Sequence, residues 1–219
     1  MGRLARPWFI ALCAVAILAA GPTAASGQDS SPDGTGCPDG AGGSWSPRGR
    51  QTLSLAAGFG VGLPIGPARG SDLEDVRFGA LLPRWSIGVS DCVGRGSWYR
   101  GAVSLAIEGI VMYDFEPHSG VAGGLTPLLH YEFFRKGRLI PYVEAGVGVI
   151  FTDLDLDQQD DGLNFTPQAG LGIRYELSER TEFIVGWRFH HISNAGLRDP
   201  NTGLDSSLFL LGMSYHFDR

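Results

Sequence analysis

The chain is predicted to be all-β, an eight-stranded antiparallel transmembrane β-barrel of the outer-membrane type. Three observations lead there. Apolar and polar residues alternate with period two in segment after segment beyond residue 50. No apolar stretch in that region reaches the roughly eighteen residues of a membrane-crossing helix. The face opposite the polar one is continuously apolar and almost free of charge, which suits lipid rather than water.

Composition narrows the field first. The 219 residues include 33 Gly, only 18% charged residues and 43% hydrophobic ones. That balance excludes a disordered polyelectrolyte, which needs high charge and few apolar groups. The glycines follow no three-residue period, which excludes collagen. Lys136 is the single lysine and the net charge is -6, so no basic surface for nucleic acid is present.

The N-terminus is a targeting segment. Arg3 and Arg6 precede an apolar run over 8–20, Gly21 and Pro22 end it, and Thr23, Ala24, Ala25 and Ser26 follow. Residues 1–26 are therefore expected to be a secretory signal peptide. Residues 27–50, rich in Gly, Ser, Pro and Asp, are expected to form a flexible periplasmic segment. The barrel takes 51–219.

Over 163–177 the odd positions are Leu163, Phe165, Pro167, Ala169, Leu171, Ile173, Tyr175 and Leu177. The even ones are Asn164, Thr166, Gln168, Gly170, Gly172, Arg174 and Glu176. Over 141–151, Val143, Ala145, Val147, Val149 and Phe151 alternate with Tyr142, Glu144, Gly146 and Gly148. Similar segments run at about 52–61, 77–90, 100–114, 121–135, 181–193 and 205–217. Each is long enough to cross a bilayer as a tilted strand of roughly nine to eleven residues. Arg84, Glu108, His130, Glu132, Glu144, Gln168, Arg174 and Arg188 are placed inside, paired with one another. Glycines on the same face suit a narrow, filled lumen. A soluble sandwich or lipocalin-like barrel is disfavoured, because such folds rarely turn their continuous apolar face outward.

With both termini periplasmic, the outer connections are 62–76, 115–120, 152–162 and 194–204, mostly long. The turns at 135–138 and 178–180 are short, as expected on the periplasmic side. The longer periplasmic connection at 91–98 holds Cys92, and the N-terminal segment holds Cys37. In an oxidising compartment these two either bond, pinning the segment to the rim, or stay as thiols. The ending Tyr215-His216-Phe217 resembles the terminal aromatic pattern of outer-membrane proteins.

One hairpin carries chemistry. The apolar parity of the seventh strand runs Phe183, Val185, Trp187, Phe189 and continues to His191 and Ser193. The parity of the eighth, Phe209, Leu211, Met213, Tyr215 and Phe217, traced backwards, reaches Asp205 unless a bulge intervenes. An imidazole, a hydroxyl and a carboxylate thus project outward at one end of one hairpin, a costly place for polar groups. Residues two apart on a strand share a face and lie roughly 6.5–7 Å apart at Cα, so His191 can reach Ser193. A serine needs a base to take its proton, and a histidine works better as base when a carboxylate fixes its tautomer.

At these residues a family resemblance becomes specific. His191-Ile192-Ser193-Asn194-Ala195-Gly196-Leu197, followed by Pro200-Asn201-Thr202-Gly203, resembles the signature of the PagL-type lipid A 3-O-deacylases, eight-stranded outer-membrane esterases. The resemblance implies Ser193 as nucleophile, His191 as base, and Asn194 and Gly196 as oxyanion donors. The family's acidic member, glutamate in its best-known form, falls on Asp205 here. Aspartate is about 1.5 Å shorter, so the backbone must bring it within reach of His191. The implied reaction removes the ester-linked 3-hydroxyacyl chain at position 3 of lipid A, at the outer leaflet of a Gram-negative outer membrane, with no cofactor and no metal. The implied partners are lipid A or lipopolysaccharide and outer-membrane lipid; a homodimer stays open.

Other residues have plainer readings. His190 points into the lumen by parity and is expected to be an interior hydrogen-bonding residue, as are His130 and Glu132. The acidic stretch 153–162 lacks the glycine and closing glutamate of a calcium loop and is expected to be solvated. Pro200 to Gly203 is expected to be a turn that also sets the distance from Asp205 to His191. Trp187 and Phe189 are expected to be ordinary lipid-facing aromatics. The competing functions are a serine esterase of lipid A, a non-enzymatic small barrel with a structural or adhesive role, and an esterase or acyltransferase for other lipids.

Overall fold

The structure, a computed structural model, describes residues 48–65, 72–90, 92–94, 97–116, 119–154 and 156–217. The expected signal peptide and nearly all of the expected N-terminal segment lie outside the described residues. The strands are β1 (Gln51–Gly62), β2 (Arg77–Gly88), β3 (Gly101–Glu116), β4 (Gly120–Phe133), β5 (Leu139–Asp153), β6 (Gly162–Glu176), β7 (Thr181–Ile192) and β8 (Leu204–Phe217). Neighbours pair antiparallel in chain order, and β8 returns to pair with β1, closing the barrel. Each strand end falls within about two residues of the position expected from the period-two pattern. No helix among the described residues is long and apolar enough to cross a membrane.

Alternation decides what faces where. Leu55, Leu129, Val147, Leu171, Phe209 and Leu211 stand more than half exposed on the outer wall. A wall of this extent is unstable in water and matches the lipid-facing band of an outer-membrane-type barrel. The opposite parity is buried.

The lumen is filled, and its filling is segregated. One part is an ion-pair network. Arg84 donates to Glu108 at 2.6 Å and to Glu144 at 2.8 Å. Arg188, fully buried, donates to the same two carboxylates at 2.5 Å each and to Gln168 at 2.8 Å. His130 lies 3.1 Å from Glu144 and 3.4 Å from Glu132. Arg174 continues the chain to Glu132 and Glu182, His216 lies 3.0 Å from Glu182, and Thr52 joins His216 at 2.9 Å. All eight strands contribute a member, as expected for charges that cannot face lipid.

The other part is apolar, which the polar-inside expectation did not include. Phe78, Leu82, Met112, Ile150, Ile192, Leu204 and Leu208 form a buried cluster inside the barrel. Leu73 and Val76 from the β1–β2 connection, and Leu154 and Leu156 from the β5–β6 connection, join it. These connections lie at the same end as the β7–β8 loop, so the lumen is plugged there by hydrocarbon. Glycine makes the room. A Cβ on Gly60 would sit 2.0 Å from the Phe78 ring, and one on Gly172 would sit 2.5 Å from the Tyr142 hydroxyl.

At the opposite end Cys92 is disulfide-bonded; Cys37, its expected partner, lies outside the described residues. Trp98 with Tyr99, Tyr131 with Phe133, and Tyr215 with Phe217 form edge-on aromatic pairs there, in keeping with an interfacial girdle.

Replacing Arg188 by Leu strips one cation from two buried carboxylates. Breaking a buried pair this way costs about 3–5 kcal/mol. The expected outcome is a clearly lower urea midpoint for the refolded barrel, partly restored by adding Glu144→Gln.

Candidate active site

The hairpin of β7 and β8 keeps one register over its whole length, from Thr181 opposite Tyr215 to Ile192 opposite Leu204. No bulge intervenes, so His191 stands directly opposite Asp205 on the outer face. Directly opposed residues have Cβ atoms about 4.5–5.5 Å apart, a gap that an imidazole and a short carboxylate can bridge. His191 Nδ1 lies 2.6 Å from Asp205 Oδ1. The shorter acid therefore does reach. The two side chains are 30% and 16% exposed, so the pair is partly desolvated yet open to the outside. A carboxylate on Nδ1 fixes the tautomer with the proton there and leaves the Nε2 lone pair free to act as a base.

Ser193 lies one residue past the end of β7. It is held by an isolated bridge to Phe165 of β6, with Phe165 N–H donating to Ser193 O at 2.7 Å and Ser193 N–H to Phe165 O at 3.1 Å. Phe165 belongs to the outward parity of β6, so Ser193 sits on the lipid side with His191. The Ser193 hydroxyl oxygen accepts the Ala195 N–H at 3.0 Å. In this conformation no hydrogen bond joins it to His191 among the described residues.

Asn194, expected as an oxyanion donor, is fully buried, and its donors are used within the loop, which it organises. Its Oδ1 accepts the Gly196 N–H at 2.9 Å, its Nδ2 donates to Arg198 O at 2.8 Å, and its own N–H donates to Asn201 Oδ1 at 2.9 Å. Ala195 and Gly196 both have positive φ, 57° and 74°. A left-handed alanine is uncommon and costs of order 1 kcal/mol or more, so the surroundings must impose it. The result turns consecutive backbone amides back toward Ser193 and Asn194.

Gly203 lies against the histidine. A Cβ there would be 2.8 Å from His191 Cε1, and its φ of 83° suits glycine. Its N–H donates to Gln159 Oε1 at 2.9 Å. The acidic stretch before β6 is not simply solvated. Leu154 and Leu156 turn inward, Asp161 Oδ1 accepts the Leu154 N–H, and Asp160 pairs with Arg198 at 3.0 Å. Among the described residues no group of three or more His, Cys, Asp and Glu could hold a metal ion.

His190 is buried with Nε2 2.7 Å from Thr166 Oγ1, an interior residue as parity predicts. His130 and Glu132 sit in the lumen network. Trp187 donates to Ser207 at 3.2 Å on the outer wall below the site. Three contributors escaped sequence reasoning: the Ala195 amide, the packing of Gly203 on the ring, and Gln159. The Asn-Ala-Gly run was a visible signal for the first; Pro200 to Gly203, expected to be a turn, instead runs alongside the β5–β6 connection with Asn201 bridged to Gln159, and Gln159 belongs to no motif.

The lipid A deacylase PagL of Pseudomonas aeruginosa is 39% identical over 88 residues, 38% of this chain and 48% of that protein. The lipid A deacylase PagL of Bordetella bronchiseptica is 35% identical over 79 residues, 35% of this chain and 41% of that protein. The chain thus spans less than half the length of the curated relatives it matches. The crystal structure of the outer membrane enzyme PagL superposes with a TM-score of 0.54 at 23% identity, covering 74% of this chain and 98% of that one. Neisserial surface protein A superposes with a TM-score of 0.52 at 14% identity, covering 76% and 97%. These two likenesses show the barrel fold. The model of the family described as lipid A 3-O-deacylase (PagL) matches residues 77–214, more than half of the chain, including every residue of the hairpin site, and the chain belongs to that family.

Proposed function

We propose that the protein is an outer-membrane serine esterase that removes the ester-linked 3-hydroxyacyl chain at position 3 of lipid A. The observation that carries this is the 2.6 Å His191–Asp205 contact across the strands, with Ser193 two residues further on the same lipid-facing side. Family membership supplies the substrate class, and the placement explains how it is met. Lipid A fills the outer leaflet, and a site on the outer wall at the loop end reaches its ester without drawing the lipid out of the membrane.

The chemistry runs through the residues in place. Ser193 turns from the Ala195 amide toward Nε2 of His191; catalytic hydrogen bonds are often loose in a free enzyme and tighten with substrate bound. Its oxygen attacks the ester carbonyl as His191 takes the proton, and Asp205 stabilises the imidazolium. The Ala195 amide, which holds the resting Ser193 hydroxyl at 3.0 Å, is released as the serine turns and is then free to meet the oxyanion. The Gly196 amide serves as a second donor only on leaving Asn194 Oδ1, which holds it at 2.9 Å in the free protein. Each such donor is worth roughly 3 kcal/mol. The tetrahedral species collapses, His191 protonates the departing sugar oxygen, and water then releases the 3-hydroxy fatty acid from Ser193.

Mass spectrometry of lipid A from cells expressing the protein is expected to show loss of one 3-hydroxyacyl chain. Ser193→Ala should leave the lipid A profile identical to that of cells without the protein. Equal profiles for wild type and variant would overturn the proposal. Asp205→Asn keeps the shape but favours the wrong tautomer, so its rate on lipid A micelles should fall by about 10³–10⁴-fold. Gly203→Ala pushes a methyl onto the His191 ring. A misplacement near 1 Å costs on the order of 100-fold, so activity should drop to that extent while the folded barrel still forms.

A further inference from the structure

We infer that Gln159, in the connection between β5 and β6, is a positioning residue for the site; this rests on the deacylase reading above. It does not touch the reacting atoms and acts through the β7–β8 loop. Gln159 is only 3% exposed, although it comes from an acidic surface stretch. Both ends of its amide are bound. Nε2 donates to Asn164 Oδ1 at 2.9 Å, and Oε1 accepts the Gly203 N–H at 2.9 Å. Asn164 is itself fully buried and anchored, donating to Thr152 Oγ1 and to the carbonyl oxygens of Asp160 and Gly162. A fixed support on β5 and β6 therefore orients the glutamine, and the glutamine fixes the Gly203 peptide, which packs against the His191 ring.

A second line runs from the same residue to the serine. Gln159 forms an isolated bridge with Asn201. On either side of it, Thr202 N–H donates to Gln158 O at 3.0 Å and Asp160 N–H donates to Pro200 O at 2.9 Å. The Asn201 side chain accepts the Asn194 N–H, next to Ser193. The two strands of the site hairpin end at Ile192 and Leu204, so the ladder between them cannot hold the loop beyond. The β5–β6 connection takes over there, and among its described residues Gln159 is the side chain bonded on both sides. A buried amide with both groups used resists rotation, since turning it would leave a donor and an acceptor without partners.

The test compares wild type, Gln159→Met and Gln159→Glu as full-length barrels in detergent micelles, with lipid A as substrate. Methionine keeps the length and loses both hydrogen bonds. Glutamate keeps an acceptor for the Gly203 N–H. For Gln159→Met, kcat is expected to fall about 10–100-fold, with KM changed less than about twofold because no substrate contact is lost. Gln159→Glu is expected to recover most of that loss. The side-chain N–H resonance of His191, bound to Asp205, should shift or broaden in Gln159→Met and return in Gln159→Glu. If Gln159→Met does not fold, Gln159→Asn, one methylene short of Gly203, is read in its place. A folded Met variant with wild-type kcat and an unmoved His191 resonance overturns the inference, as does a Glu variant as impaired as Met. If wild type itself releases no acyl chain, the deacylase reading fails, and the His191 resonance alone decides whether Gln159 positions the ring.

Discussion

Two arginines and two glutamates inside a closed ring of strands set the terms for the rest of the molecule. Arg84 and Arg188 share Glu108 and Glu144, and these four residues come from β2, β7, β3 and β5. A slip of one residue in any of those strands would turn its charge out into hydrocarbon and bring an apolar side chain in. The network therefore works as a register lock. Buried ion pairs contribute little net stability against a well-packed apolar core, because desolvation offsets their attraction. Their value lies in making every other register much worse. Lipid outside adds the same penalty from the other direction, since it offers no partner to a misplaced charge.

The site depends on that lock. Unbroken pairing of β7 with β8 brings Asp205 opposite His191, and the parity that buries Arg188 and His190 sends His191 and Ser193 outward. Polar groups on the lipid side are tolerable only near the end of the barrel, where the wall meets loops and water. The pair lies there, one step before the hairpin ladder ends. Beyond it, the backbone of the β5–β6 connection and the Gln159 side chain bond to the loop.

The fold was legible in the sequence because a barrel wall is a one-bit code. Odd and even residues of 163–177 have opposite environments, and the pattern survives without any knowledge of neighbours. The same parity sufficed to set His191 opposite Asp205 and to turn Ser193 to the same outer side. What parity could not supply was distance. The reach of Asp205 depends on a register with no bulge, and the sequence does not exclude a bulge. The apolar half of the lumen escaped for a related reason: Phe78, Leu82, Ile150 and Leu208 follow inward parity, but an apolar residue in either parity looks like wall. Gln159 escaped because its partners are remote. Gly203 lies 44 positions away in sequence, and only the folded chain puts a buried amide beside that peptide.

The hydrocarbon plug formed by Phe78, Met112, Ile150, Leu154, Leu204 and their neighbours bears on traffic as well as packing. It shuts the barrel's own axis at the end where the hairpin chemistry sits. An apolar filling of this kind is a poor path for water along the barrel axis. On the proposed esterase reading, the water that frees the serine comes over the loops, while the detached fatty acid leaves sideways into the leaflet, and the two meet at the serine from different phases.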